Sequence, residues 1–490
     1  MRSRVWKKFF GKVEMPEPTL AWLCLEIKRS RFGDVLAFLA KKKIVSGAMP
    51  TPIPWIHTIP KTHYILLNAR EELQSPKYTP LYGGGASYDS FAEALSKAIG
   101  ELLERYVLLT PFFHRKNKIV QRTFGDKHIP RALLYEIPHF FEWQRKYISN
   151  GLTDEILKKN ESSKAIIHCV IGESLSRGEK VSIPLQHVQW GSNYVPGTFG
   201  ADTYRISPKT TSGAGGGFTL VDATLSGLCE LIERDGFVIY WLNRLSPRRI
   251  RIDQSDSSLF SSRFLEVYRS LSDRGYEIYF LDTTTDIRIP SITCLILSPF
   301  PDGRKSISVT GKCHSNPVHA LEHALLEHTA FLSSPPKETT ISISGSEYVP
   351  FSDKNIGKKE RINMWRSGSM TKEITFFISG KEISFREWAN KFPTVPIDQK
   401  VVLLHVLEEF ARLEKEYGPA YEVFRYEVRH PILEELEYHV VKVSVPALMP
   451  LYLSENSALL DSVRLREVPK KLGYIAASVD TYNPLPHPFP

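Results

Sequence analysis

The sequence predicts a mixed α/β (α+β) fold. Three observations carry that prediction. Helical stretches with apolar residues at three- and four-residue spacing alternate with short apolar runs of strand length. Glycine clusters stand ahead of two of the helices. Those two helices also carry the same acidic word, Glu-x-x-Glu-Arg, about 129 residues apart.

The 490 residues suffice for a sizeable core, and 42% hydrophobic with 24% charged residues is the composition of a globular chain. The net charge of +9 fits a nucleotide, an acidic peptide or nucleic acid, or simply a solvated basic surface. No nucleic-acid-binding motif supports that third partner. Five cysteines, Cys24, Cys169, Cys229, Cys294 and Cys313, include no C-x-x-C pair. Neither a disulfide framework nor a zinc knuckle is indicated, and a reducing cytoplasm is expected. No run of about 18 apolar residues occurs, so no membrane helix is predicted.

Residues 1–60 read as a basic, proline-punctuated segment with a short helix at 31–43. The main body is expected over 61–480, with 334–400 as a polar, peripheral insertion, and a proline-rich tail over 481–490. Residues 90–110 form the first acidic helix, preceded by a glycine loop at 82–86. Strands follow at 165–172 and 181–188. A second glycine loop at 213–217 leads into the second acidic helix, 221–243. Strands at 276–282 and 291–297 precede a third helix at 317–332, and 400–417 is an amphipathic helix.

On a helix, residues three and four apart share a face. Glu101, Glu104 and Arg105 therefore project together, as do Glu230, Glu233 and Arg234. A single copy reads most simply as a surface ion pair. Two copies on strongly apolar helices, each behind a glycine cluster whose N–H groups are expected to cradle an anion, point instead to a shared site. Magnesium takes oxygen ligands and bridges carboxylates to phosphates. The glycine clusters lack G-x-x-x-x-G-K-[ST], so the site is not a Walker loop.

The joint pattern resembles the YcaO superfamily. The first motif is Lys97-x-x-x-Glu101-x-x-Glu104-Arg105. The second is Ser226-x-x-x-Glu230-x-x-Glu233-Arg234-Asp235, behind GGGFTLVDA. The third, HALLEH, contains Glu327. The resemblance implies sheets flanked by acidic helices around an ATP site. It assigns Glu101, Glu104, Glu230, Glu233 and Glu327 to Mg2+, and Ser226, Arg105, Arg234, Glu101 and Glu230 to ATP. Two departures, Lys97 at the first-motif serine and Ala330 near the place of a glutamine, also permit a degenerate scaffold.

Prolines 484, 486, 488 and 490 resemble the Pro-x-Pro-x-Pro tail of azoline-forming members, which inserts near the active site. Proline fixes φ and favours an extended rod. The resemblance assigns Pro486, Pro488 and Pro490 to catalysis, the last through its carboxylate. Removal of 485–490 is expected to spare folding and nucleotide binding. The implied activity is ATP-dependent cyclodehydration of Cys, Ser or Thr in a precursor peptide to thiazoline or oxazoline. Thioamide formation and ribosomal-protein modification are the alternatives within the family. A homodimer and a separate leader-peptide-binding partner, like ubiquitin-activating enzymes in scaffold, are implied as well.

His319-Ala320-Leu321-Glu322-His323 also matches the zinc-protease pattern H-x-x-E-H. No third ligand is identifiable, and the reading is subordinate. Cys229, inside the second helix, is expected to be a small core residue.

Overall fold

The structure, a computed structural model, describes residues 31–50, 62–69, 81–109, 113, 115–134, 140–145, 166–189, 210–328, 348–352 and 356–489. The basic stretch at 2–12, Ala330 and Pro490 lie outside the described residues.

The strands are β1 (Val45–Pro50), β2 (His63–Ala69), β3 (Tyr82–Ser87), β4 (Ile119–Thr123), β5 (Ile166–Ser174), β6 (Glu179–Pro184), β7 (Ala214–Gly217), β8 (Arg248–Arg251), β9 (Glu277–Asp282), β10 (Ser291–Pro299), β11 (Lys305–Cys313), β12 (Glu382–Ser384), β13 (Phe424–Glu427) and β14 (His439–Ser444). They form a three-stranded sheet β1-β2-β3, a five-stranded sheet β11-β10-β9-β8-β12, and a six-stranded sheet β4-β5-β13-β14-β7 with β6 on β5. The helices that matter here are α1 (Arg31–Lys41), α2 (Phe91–Leu108), α3 (Leu220–Leu242), α4 (Ser262–Ser272), α5 (Pro317–Leu326), α6 (Lys358–Arg366) and α7 (Gln399–Tyr417). No described helix is long and apolar enough to cross a membrane.

Each sheet is covered by a helix whose apolar face matches it. Leu95, Ala98 and Leu102 of α2 pack with Ile65 and Leu67 of β2. In β10, residues of one parity, Ile292, Cys294 and Ile296, meet Ala320, Leu321 and Ala324 of α5. Those of the other parity, Leu295 and Leu297, meet Phe237 and Trp241 of α3. A strand covered on both faces is apolar along its length, which is how β10 reads. The first half of α3 packs Leu228 and Ile232 against Val441 and Val443 of β14 and Val406 and Phe410 of α7. Lying between layers, α3 has an almost continuous apolar surface.

The described part of the 334–400 stretch contributes Met364, Trp365, Ile374 and Phe377 to the core that holds Phe237 and Trp241. The tail enters the same core. Trp241 Nε1 donates to Leu485 O at 3.2 Å and Trp365 Nε1 to Pro486 O at 2.9 Å. His487 is fully buried, and the Phe489 ring lies 4.8 Å from that of Phe237. Removing 485–490 therefore opens this core, which corrects the expectation that the tail is separable from folding.

The glycine clusters are a second correction. They are strands, β3 and β7, not loops. A Cβ on Gly83 would stand 2.1 Å from Ala98 O, one on Gly85 1.9 Å from Ala94 O, and one on Gly215 2.2 Å from Ala223 O. Only glycine lets these strands lie directly on a helix backbone, so the clusters serve close packing.

The offset of the acidic word extends over a whole unit. Ser90 caps α2 through the N–H of Glu93, and Thr219 caps α3 through the N–H of Asp222. Both are Ser/Thr caps of the favoured type. Each helix lies against a glycine strand, β3 paired with β2 and β7 with β14. The chain uses one local construction twice.

Candidate active site

The two acidic helices face one cavity of about 940 Å3, lined on one side by Lys97, Glu101, Glu104 and Arg105 of α2. Ser226, Glu230, Glu233 and Arg234 of α3 form another wall. Glu327, just past α5, and Phe489 of the tail also line it. Every described residue singled out for nucleotide or metal thus reaches one space. Pro486 and Pro488 do not line it; Pro486 accepts the Trp365 hydrogen bond behind Phe489.

Each helix anchors one glutamate in the same way. Glu101 accepts from the backbone N–H of Gly84 and pairs with Arg105. Glu230 accepts from the N–H of Gly213 at 2.8 Å and pairs with Arg234 at 2.8 Å. Arg105 then donates to Tyr82 O at 2.9 Å, and Arg234 to Ser212 Oγ at 3.0 Å. The i,i+4 pairs foreseen in the sequence exist, but the first is locked to β3 and the second to residues 212–213 just ahead of β7, and both are turned inward. The N–H groups expected to cradle an anion are consumed here by the protein's own carboxylates.

The second glutamate of each helix has a different setting. Burial, then the carboxylates of Glu230 and Glu101, push Glu104 up to about 8, although it accepts from the N–H of Gly216. Burial raises Glu233 to about 7, with Lys312 and Arg234 pulling it down and Glu230 and Glu327 pushing it up. Carboxylates crowded in this way hold protons until a cation arrives. The donor set is oxygen-rich and hard, which fits Mg2+. Among the described residues no three acidic, His or Cys side chains form a ready-made metal cage. Mg2+ usually takes one or two carboxylates and completes its shell with phosphate and water, so a dispersed set suits it. Among the described residues Arg234 Nε, on a side chain in the cavity wall, is buried without a hydrogen-bond partner.

Lys97 occupies the place of the family serine. Its Nζ lies 2.8 Å from Glu93 Oε1 and 3.0 Å from Ala86 O. The sequence reading missed Lys312, Asp222, Tyr64, His314 and His319, which also line the cavity. Cys229 packs against the core, as expected, but lines the cavity as well.

The zinc-protease pattern does not assemble. Glu322 Oε1 accepts from the N–H of Ser261, at the start of α4. His319 and His323 lie face to face at 3.8 Å with an interplanar angle of 10°, and His314 stacks on His319 at 4.0 Å. Burial pushes His319 down to about 3 and His323 to about 2, so both rings are neutral. The motif builds an imidazole stack.

A family model described as YcaO cyclodehydratase, ATP- and Mg2+-binding, matches residues 83–449. The chain belongs to the YcaO family. A curated relative, an uncharacterized protein in the tfuA 3' region of Rhizobium leguminosarum bv. trifolii, is 32% identical over 148 residues, 29% of this chain and 34% of that protein. Among solved structures, a heterocyclase in complex with substrate and cofactor matches with a TM-score of 0.67 and 17% identity, over 91% of this chain and 55% of that one. YcaO from Methanopyrus kandleri, bound with AMPPCP and Mg2+, matches with a TM-score of 0.54 and 15% identity, over 85% and 91%. The E. coli microcin synthetase McbBCD complex with pro-MccB17 matches with a TM-score of 0.54 and 15% identity, over 86% and 95%. At such identities the likeness shows the YcaO fold, mixed helices and sheets. The chain spans about half the length of the first of these structures and a third of the curated relative.

Proposed function

We propose that this YcaO protein is an ATP- and Mg2+-dependent cyclodehydratase component acting on a ribosomally made precursor peptide. The observation that carries the reading is the convergence of Glu101, Glu104, Glu230, Glu233, Glu327 and two anchored arginines on one cavity that the tail also reaches. Its volume, about 940 Å3, accommodates a nucleotide with room for a peptide segment.

The thiol or hydroxyl of a substrate Cys, Ser or Thr attacks the preceding amide carbon. Bound Mg2+–ATP supplies the phosphoryl group that makes the amide oxygen a leaving group. The C–O bond then breaks, the nitrogen loses its proton, phosphate departs and a C=N bond completes the azoline ring. The protein's part is positioning and charge neutralisation. Glu101, Glu104, Glu230, Glu233 and Glu327 hold the metal, and Ser226, Arg105 and Arg234 hold the nucleotide. Phe489 of the tail closes one side of the cavity, with Pro486 and Pro488 holding the tail in place behind it, and the Pro490 carboxylate orients the amide.

A separate leader-peptide-binding partner, a homodimeric state and a cytoplasmic setting belong to the same reading. Purified protein, a candidate partner and precursor peptide are incubated with ATP and analysed by mass spectrometry. Loss of the mass of one water per modified residue, with stoichiometric phosphate release, is expected. Exchange of oxygen for sulfur, or no ATP turnover, would sink the proposal.

A further inference from the structure

Four cationic side chains line the cavity, and three are already engaged. Lys97 is held by Glu93 and Ala86 O, Arg105 by Glu101 and Tyr82 O, and Arg234 by Glu230 and Ser212. Lys312 of β11 differs. Its ion pair among the described residues is with Glu327 Oε1, at 3.7 Å, beyond hydrogen-bond reach. Its side chain is one-third exposed, 33%, and that of Glu327 half exposed, 51%.

The neighbouring residue explains what stands on the other side. A Cβ on Gly311 would lie 2.9 Å from Glu233 Cγ, so Glu233 packs on the α3 face of the edge strand β11, one residue from Lys312, whose side chain leaves from the opposite face. At this sheet edge Glu327 and Glu233, two carboxylates that the proposed function gives to Mg2+, both act on the Lys312 ammonium. An ammonium and a Mg2+ ion cannot share these oxygens, because Mg2+ demands them at about 2.0–2.1 Å. A lysine has a flexible stem and three rotatable donors, so the displaced charge can turn to an incoming anion.

We propose that Lys312 is a placeholder cation. It neutralises Glu233 and Glu327 in the metal-free protein, then moves to the nucleotide phosphates as Mg2+ takes the carboxylates. The inference rests on the reading of the cavity as a Mg2+–ATP site. It assigns Lys312, rather than the locked arginines, as the mobile phosphate contact.

Opposite signs in two binding measurements test it. Mn2+ alone, followed by electron paramagnetic resonance, is expected to bind Lys312→Met at least about ten-fold more tightly than the parent, because a competing charge is gone. Mg2+–AMPPCP, followed by calorimetry, is expected to bind the same variant at least about ten-fold more weakly. Lys312→Arg, which keeps the charge, should reverse the first effect. Lys312→Gln is the second variant should the methionine disturb folding, as judged by thermal unfolding. Unchanged or weaker Mn2+ binding by both neutral variants overturns the placeholder role. Unchanged nucleotide binding overturns the phosphate contact. If the parent takes up Mn2+ but no nucleotide, the ATP reading falls, and the Mn2+ comparison still decides whether Lys312 competes with metal.

Discussion

Glu101 and Glu230, on helices far apart in sequence, are held by one device: each accepts the N–H of a glycine 17 residues upstream and pairs with the arginine one turn on. The equivalence makes a paired prediction. Glu101→Gln and Glu230→Gln retain an acceptor for the glycine N–H but lose the charge. Both should fold with stability within about 1 kcal/mol of the parent, typical for a partly exposed ion pair. Both should lose at least about ten-fold in Mg2+–AMPPCP affinity by calorimetry. A large loss from one and none from the other would show that only one helix carries the metal.

Two glycines separate packing from site geometry. A Cβ on Gly85 meets the fixed backbone oxygen of Ala94, and Gly85→Ala should cost about 1–3 kcal/mol in urea unfolding. A Cβ on Gly216 meets movable ends, Tyr438 Oη at 2.6 Å and Glu104 Oε1 at 2.7 Å. Gly216→Ala should keep most of the stability while displacing Glu104 and weakening Mg2+–nucleotide binding. Equal stability losses would refute the distinction.

The raised carboxyls set a pH window. Glu104 near 8 and Glu233 near 7 stand above the ordinary 4.5. The metal-free folded state therefore holds more protons than the unfolded chain. Their stabilising contribution is complete below about 4.5 and is lost as pH rises through 7 to 8. Metal must displace these protons, so Mn2+ affinity should rise over that window, with proton release seen as buffer-dependent calorimetric heat. A flat affinity between pH 6 and about 8.5 contradicts this assignment.

The tail should behave as part of the core. Trp365→Phe removes the N–H that Pro486 O accepts and shrinks a fully buried ring, and should cost about 2–3 kcal/mol. Deleting 485–490 withdraws Phe489 from Phe237 and His487 from its buried site, and should lower the unfolding temperature by several degrees. His487 Nε2 donates to Tyr452 O at 2.8 Å, and burial with the nearby Arg361 guanidinium keeps the ring neutral. Peptide cyclisation should fail in the deletion variant under conditions where it is still folded. Unchanged cyclisation there would remove the tail from the mechanism.

The cavity wall was legible in the sequence where it follows helical spacing. Glu101, Glu104, Glu230 and Glu233 follow from the three- and four-residue rule and the repeated word. The helices expected at 90–110 and 221–243 are found at Phe91–Leu108 and Leu220–Leu242. Lys312 was not legible, because a lone basic residue on an apolar strand has no periodic partner to mark it. The glycine strands misled for a related reason: Gly83 and Gly85 are required by the backbone of α2, a neighbour that only the folded chain reveals. His319 and Glu322 share a motif but not a task, since the turn of α5 sends one to the cavity and the other to α4.

The duplicated unit breaks its own symmetry in the cavity wall. Four residues before Glu101 stands Lys97, and four before Glu230 stands Ser226, both in the cavity wall. A space framed by two matched helices would accept a ligand equally well in either direction. A cationic corner facing a hydroxyl corner gives it a head and a tail. An unsymmetrical guest is then expected to favour one way round, with the same end on the same side each time.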